Sequence, residues 1–325
     1  MVLQEAVLAG FCNIPHNSAD GIYRFSLAAL QAGIYHNLPD EQRQYLHTMV
    51  AKALEMVYAE RLGQVSGLLA RHYFQAGLPE QAISHWHEAA HEAARWGDYA
   101  DAIELSEQML AAIALLSKRR QRRLRLERLL DRARWLTALG RCRESVDLLQ
   151  GEYETISTVR DVRLRGHYAL ALSLAHRQEG TWDQAVASAQ QAIEDATSCR
   201  DGVTAGQAHA VLAMERYRIG RADEGAFYSQ RAIGLLEQPE AETERALAYF
   251  VLGLNCIVLG QFSEAIEAEM ETERIGQTLA DRSSRLLQHG RRDGHGRLKV
   301  SGQRQWPPAN GLWTRGWICS RWLFL

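Results

Sequence analysis

Apolar positions recur at intervals of three and four along most of this chain, the spacing of helices that bury one side. Leu27, Leu30, Ile34 and Tyr35 form one such series, with Ser26 as the expected N-cap. Tyr45, Leu46, Val50, Ala53 and Leu54 form the next, opened by Pro39, and Leu124, Leu126, Leu129, Leu130, Ala133 and Leu136 form another. Glycine punctuates the runs. Gly140, Gly180, Gly220 and Gly260 stand forty residues apart, followed by Gly-Arg-Cys-Arg-Glu-Ser-Val, Gly-Thr-Trp-Asp-Gln-Ala-Val, Gly-Arg-Ala-Asp-Glu-Gly-Ala and Gly-Gln-Phe-Ser-Glu-Ala-Ile in their respective repeats. A half-step precedes them, Gly97 coming twenty residues after Gly77. Self-similarity at a fixed period marks a stack of supersecondary units that bury a core only against their neighbours. The pattern predicts an all-α fold with repeats from about 122 to 277. Only the start departs from it: residues 1–10 read as a short helix, and Phe11 to Phe25 as a small hairpin turning around Pro15 to Gly21.

From Gly63 to Ala89 the residues Leu69, Ala70, Tyr73, Gly77, Ala82, Trp86 and Ala89 resemble the tetratricopeptide consensus. Tyr249, Leu252, Gly253, Gly260, Phe262, Ala265 and Ile266 are similar to it again. The resemblance implies a right-handed α-solenoid of helical hairpins. Forty-residue repeats imply longer loops than the thirty-four-residue form, such as Glu237 to Glu244. The stretch Tyr23-Arg-Phe-Ser, together with Arg43, His47, Ala51, Leu54 and Glu55, resembles a junction in bacterial STAND-class signalling ATPases, including regulators of the maltose-activator type. There a P-loop ATPase and a winged-helix domain precede a long tetratricopeptide-like array. The resemblance divides the chain into a winged-helix remnant (1–25), connecting helices (26–62), a repeat array (63–281) and an irregular tail (282–325). One position departs, since Leu27 stands where the family usually has His.

Composition narrows the function classes. The sequence is 46% hydrophobic and 23% charged, ordinary for a folded protein. No stretch reaches the roughly 18 apolar residues of a membrane span, and no signal peptide is read at the N-terminus. Five scattered cysteines without metal spacing read as reduced thiols, which places the chain in a cytoplasm. Charge is uneven: residues 282–325 carry eight Arg and one Lys against Asp293 alone, leaving 28 basic and 38 acidic residues in 1–281. An acidic body is not expected to bind nucleic acid directly. The Arg- and Trp-rich tail lacks a repeat signature near residue 300 and reads as an out-of-frame end. Its alternative is a cationic segment at a membrane surface, through Trp313, Trp317, Trp322, Leu323 and Phe324. No membrane partner is otherwise expected.

Three segments suggest chemistry. His87-Glu-Ala-Ala-His91 is a literal H-E-x-x-H, the spacing that sets two imidazoles on one helix side for zinc, with Glu88 as general base. Ala94 and Gly97 stand where a longer metalloprotease motif would place its Gly and third His, and the repeat register already assigns Trp86 and Ala89 to packing, with His87 and His91 outward. Zinc hydrolysis is therefore the minor alternative, and no metal, cofactor or catalytic residue is assigned. Lys118-Arg-Arg-Gln-Arg-Arg-Leu-Arg reads as the solvated side of a helix, since no aromatic residues interleave with its charges. No Gly-x-x-x-x-Gly-Lys-[Ser/Thr] occurs, so the family's ATP hydrolysis does not carry over. The resemblance implies instead a concave groove lined by the first helix of each repeat. That face would carry Arg71 and Phe74, then Leu130 and Arg134. His167, Leu170, Leu174 and Arg177 would follow, then Met214, Tyr217 and Arg218, and last Phe250, Leu254 and Ile257. Arginines beside aromatic and apolar side chains suit an acidic or amphipathic peptide. The expected function is a non-catalytic protein or effector interaction module. A fragment of a DNA-linked regulator that senses a small inducer is the main alternative.

Overall fold

In the computed structural model of the chain, residues 7, 9, 11–13 and 24–292 are described, those at 13, 24, 119 and 281–292 by backbone alone. Among them the fold is all-α apart from one antiparallel pair of two-residue strands, β1 (Cys12–Asn13) and β2 (Arg24–Phe25). Cys12 lies opposite Phe25 and Asn13 opposite Arg24, so the two ends of the expected hairpin pair as read; its turn lies outside the described residues. The chain divides into two compact units, residues 1–96 with 104–121, and residues 97–103 with 122–325.

The first unit contains α1 (Ala28–Asn37), α2 (Asp40–Val57), α3 (Ser66–Gln75) and α4 (Pro79–Arg95). Pro39 opens α2 as expected, but Ser26 does not cap α1. Leu27 occupies that position, and Ser26 extends the strand pairing instead, its backbone N–H donating to the Phe11 carbonyl at 2.9 Å. The apolar side expected for α2 also moves. Tyr45, Leu46 and Val50 are exposed, and the helix packs through fully buried Ala51 with His47, Leu54 and Glu55 half-buried around it. A short polar chain crosses that packing. His47 Nε2 lies 2.9 Å from the Tyr35 hydroxyl, and His47 Nδ1 lies 2.9 Å from His72 Nδ1 on α3. Burial pushes both imidazoles below their ordinary value, and at His72 the neighbouring His47 adds to it. Beside them the Tyr73 hydroxyl donates to the Glu55 carboxylate at 2.7 Å, and the Tyr73 ring stacks on His85. Burial, then the Glu55 carboxylate, raise the Tyr73 hydroxyl to about 12. Leu69, Ala70, Tyr73, Ala82 and Trp86, five of the consensus positions, are all buried.

Two helices, α5 (Tyr99–Ile113) and α6 (Lys118–Ala138), have residues in both units. The second unit continues with α7 (Cys142–Gln150), α8 (Tyr153–Ser157), α9 (Val162–Glu179) and α10 (Trp182–Ser198). It ends with α11 (Gly202–Arg218), α12 (Ala222–Leu235), α13 (Glu242–Val258) and α14 (Phe262–Arg292). The last helix therefore runs past the boundary read at 281, and residues 293–325 lie outside the described residues. Consecutive long helices here fold back as antiparallel pairs. Ser173 on α9 donates to the Ala185 carbonyl on α10, while Gly166, about two turns earlier on α9, faces Asp195 farther along α10. Gly253 on α13 likewise faces Ala265 and Ala268 on α14, and Thr272 reaches back to the Ala246 carbonyl.

The turns explain the glycine ladder. Gly140, Gly180, Gly220 and Gly260 all adopt left-handed backbone angles, φ between 74° and 87°, as do Gly77 and Gly97. A helix that must reverse within two or three residues ends on such a residue, and only glycine takes it without a Cβ clash. Small residues then set the spacing: Ala185, Ala189, Ala192, Ala208, Ala213, Ala232 and Ala248 are all fully buried. Alanine at helix crossings lets backbones approach, and Leu170, Val211 and Leu212 fill the remaining space.

Candidate functional site

The second unit contains a cleft of about 230 Å³ between the middle of α6 and the start of α9. Arg123, Glu127, Leu130 and Arg134 recur at helical spacing along one side of α6, with Arg128 and Asp131 beside them. Asp161, Arg163, Leu164 and His167 line the opposite wall. Its apolar floor is Leu130 and Leu164, which belong to a buried core with Leu126, Ala133, Leu149, Ile156, Tyr168 and Ala171. Asp161 is the N-cap of α9 and accepts from the Leu164 N–H at 3.2 Å, which fixes where that helix begins.

Most charges around the cleft are matched. Arg123 pairs with Glu127 at 2.9 Å and Asp161 at 3.3 Å, while Arg128 lies 3.2 Å from Asp131 and 3.5 Å from Glu127. His167 Nε2 meets the Asp201 carboxylate at 2.9 Å. Burial pushes the Asp201 carboxyl up, but hydrogen bonds from Thr204 and His167 outweigh it and hold the group below its ordinary value. Exposed Arg134 and Arg163 have no ion pair with any described residue. The cleft thus offers two spare guanidiniums beside a helix N-terminus, an environment that favours a carboxylate or another anion.

The expected groove residues fall into separate places. Arg134 and His167 share the cleft, as does Leu130, although Leu130 and Leu170 are buried core residues and not a free lining. Arg218 donates to the buried Glu215 carboxylate at 2.9 Å, and its guanidinium lies 4.2 Å above the Trp182 ring. Half-buried Arg177 is pulled down to about 10 by burial, with Glu215 acting in the opposite direction. Met214 and Tyr217 are half-buried on the same helix as Glu215, and Phe250 and Leu254 are half-buried on α13, where Ile257 is exposed. Leu174 is half-buried on α9. In the first unit Arg71 is exposed on α3, and Phe74 packs against Trp86 at 5.4 Å between ring centres. Sequence reasoning missed Arg163, Asp161, Glu215 and Trp182; of these, only Asp161 carried a local signal, as the capping residue before an apolar run.

His87 and His91 differ from expectation. They are half-buried and not solvent-facing, their rings meeting edge to face at 4.3 Å. Glu88 points elsewhere and accepts from the buried Ser66 hydroxyl at 3.3 Å. In the basic run, Arg122 donates to the Thr155 carbonyl and to Thr158, Arg125 pairs with Glu152 at 2.6 Å, and Arg120 pairs with Glu80. Those guanidiniums tie neighbouring helices together.

No protein-family model matches this chain, and no curated protein matches it. Among solved structures, the fold is similar to that of BtubC (BKLC) from P. vanneervenii, a helical bacterial protein. The TM-score is 0.51 at 13% identity, with 84% of this chain and 100% of that chain covered. At that identity the likeness concerns the helical fold alone. No described helix is long and apolar enough to cross a membrane.

Proposed function

We propose that this chain is a non-catalytic interaction module, a right-handed solenoid of tetratricopeptide-like hairpins that holds a protein or peptide partner against the side carrying α6, α9, α11 and α13. The observation that carries this reading is the α6–α9 cleft, where Arg134 and Arg163 stand without ionic partners above an apolar floor. Its chemistry suits a peptide that presents an acidic side chain next to an apolar one. The left-handed glycines at forty-residue steps support the repeat reading. The paired strands at Cys12 and Phe25, ahead of the Tyr23-Arg-Phe-Ser junction, support a winged-helix remnant and the role of a sensor arm from a cytoplasmic signalling ATPase or regulator.

Fluorescence polarisation tests it directly. A labelled amphipathic peptide with glutamates is compared with the same peptide carrying lysines, in the wild-type chain and in an Arg134→Glu, Arg163→Glu variant. The acidic peptide is expected to bind, to weaken with salt, and to lose about tenfold or more in affinity in the variant. Equal binding of both peptides, or a variant that binds as well as the wild type, sinks the assignment.

A further inference from the structure

Helix α2 is apolar on two sides, and only one of them is buried. Ala51, with His47, Leu54 and Glu55 half-buried around it, packs into the first unit. At about 100° per residue, Tyr45, Leu46, Met49, Val50, Ala53, Met56 and Val57 fall within about 140° on the other side. All seven are exposed: Met56 by 82%, Val57 by 77%, Tyr45 by 65%, and Leu46, Met49 and Val50 by between 42% and 49%. No charged residue between Tyr45 and Val57 falls on that side, Lys52 standing just past its edge. Single exposed hydrophobics need no explanation, but these are contiguous over more than three turns. The exposed fractions amount to about 650 Å² of apolar surface, more than a monomer ordinarily leaves in one patch.

We propose that this side of α2 pairs with the same side of α2 in a second copy of the chain, the two helices antiparallel. Leu46, Val50, Ala53 and Val57 advance by steps of four, three and four, the spacing of a coiled-coil seam. Those steps read the same in either direction, so the seam matches its own reverse. Centred between Ala51 and Lys52, the pairing sets Leu46 of each copy level with Val57 of the other, and Val50 level with Ala53. Ala53 is small enough to let the backbones approach. Tyr45 and Met56 share one shoulder of the seam and come nearly level across the pair, a ring beside a thioether. Charge favours the antiparallel sense: the two Arg43 guanidiniums lie at opposite ends, whereas a parallel pair would set them side by side. The area is sufficient, since two copies contribute about 1,300 Å² and stable interfaces bury about 1,200–2,000 Å². The pairing requires nothing of the α6–α9 cleft.

Sedimentation equilibrium of the full chain is expected to show monomer passing to dimer as concentration rises through the micromolar range. Val50→Glu with Val57→Glu places like charges along the seam at two exposed positions, so the helical circular dichroism is kept while the dimer weakens about tenfold or more. A chain that stays monomeric across that range, or a variant that dimerises as tightly as the wild type, overturns the proposal. Photo-cross-linking locates the contact independently of that variant. With p-benzoylphenylalanine in place of Val57, in a mixture of isotope-labelled and unlabelled full chains, irradiation is expected to join that position to the tryptic peptide 44–52 of the other copy, read by mass spectrometry. Cross-links confined to one chain, or to any other segment of the second copy, count equally against the assignment.

Discussion

Replacing Gly225 with alanine measures how tightly α12 is held against α13. A Cβ at that position would sit 2.5 Å from Asn255 Cγ and 2.8 Å from its Nδ2, and closer still to Oδ1. Asn255 is fully buried, and its Nδ2 donates to the Val251 carbonyl at 2.8 Å. The amide has two ways to yield. Rotating it breaks that hydrogen bond at a cost of about 1 kcal/mol. Displacing α12 from α13 costs about 1–3 kcal/mol as overpacking. With three side-chain atoms of Asn255 inside 3 Å of the new Cβ both adjustments are needed, about 2–4 kcal/mol together, and alanine's higher helix propensity returns about 1 kcal/mol, so Gly225→Ala should lose about 1–3 kcal/mol net. The informative quantity is the coupling with Asn255→Ala, which empties the space the new methyl needs. In urea denaturation followed by circular dichroism, the double variant should be more stable than Gly225→Ala alone, with a coupling energy of about 1–3 kcal/mol. Strictly additive effects, or a Gly225→Ala variant as stable as the wild type, would refute the close approach of these helices.

Gly220→Ala should cost about 1 kcal/mol for a different reason: its φ of 77° is strained for alanine although nothing lies within 4 Å of the new methyl, so Gly220→Asn should recover part of the loss in the same denaturation assay. His47 and His72 have folded values below the ordinary 6.5, so below that pH the unfolded chain takes up protons that the folded one refuses. Stability should therefore fall as pH drops through 6.5 and below, and His72→Gln should flatten that dependence in urea midpoints measured at several pH values. Tyr73→Phe removes a hydrogen bond to a carboxylate and should cost about 1–3 kcal/mol. In an alkaline absorbance titration it should also remove one of the hydroxyls that ionise only near about 12.

The turns and the helices were legible because their causes are local. A glycine that ends an apolar run marks a reversal whatever lies beyond it, and each of the four ladder glycines has the left-handed backbone that the reading requires. Faces were less legible. The apolar residues of α2 do not show which side meets α3, and Ala51 with His47 settles it through shape and hydrogen bonding. The cleft was half legible. Arg134 and His167 come from repeat register, but Arg163 stays unpaired while Arg123 and Arg128 find acids, and ion pairing between separate helices leaves no trace in spacing. His87 and His91 were read as outward because the register fixes neighbours on the helix, not the depth to which a side chain sinks.

The short reach of the contacts bears on how this chain acquires its structure. Side-chain bonds between described helices join residues near one another in sequence, such as Tyr73 with Glu55, Thr272 with Ala246 and Arg120 with Glu80. Each helix can thus find its packing surface among segments just synthesised, with no long loop to close first. Such topologies fold quickly, in microseconds to milliseconds, and their helices can dock one after another as they leave the ribosome. A chain ending at residue 200 and released from the ribosome should therefore already hold the α9–α10 pair in a form resistant to protease.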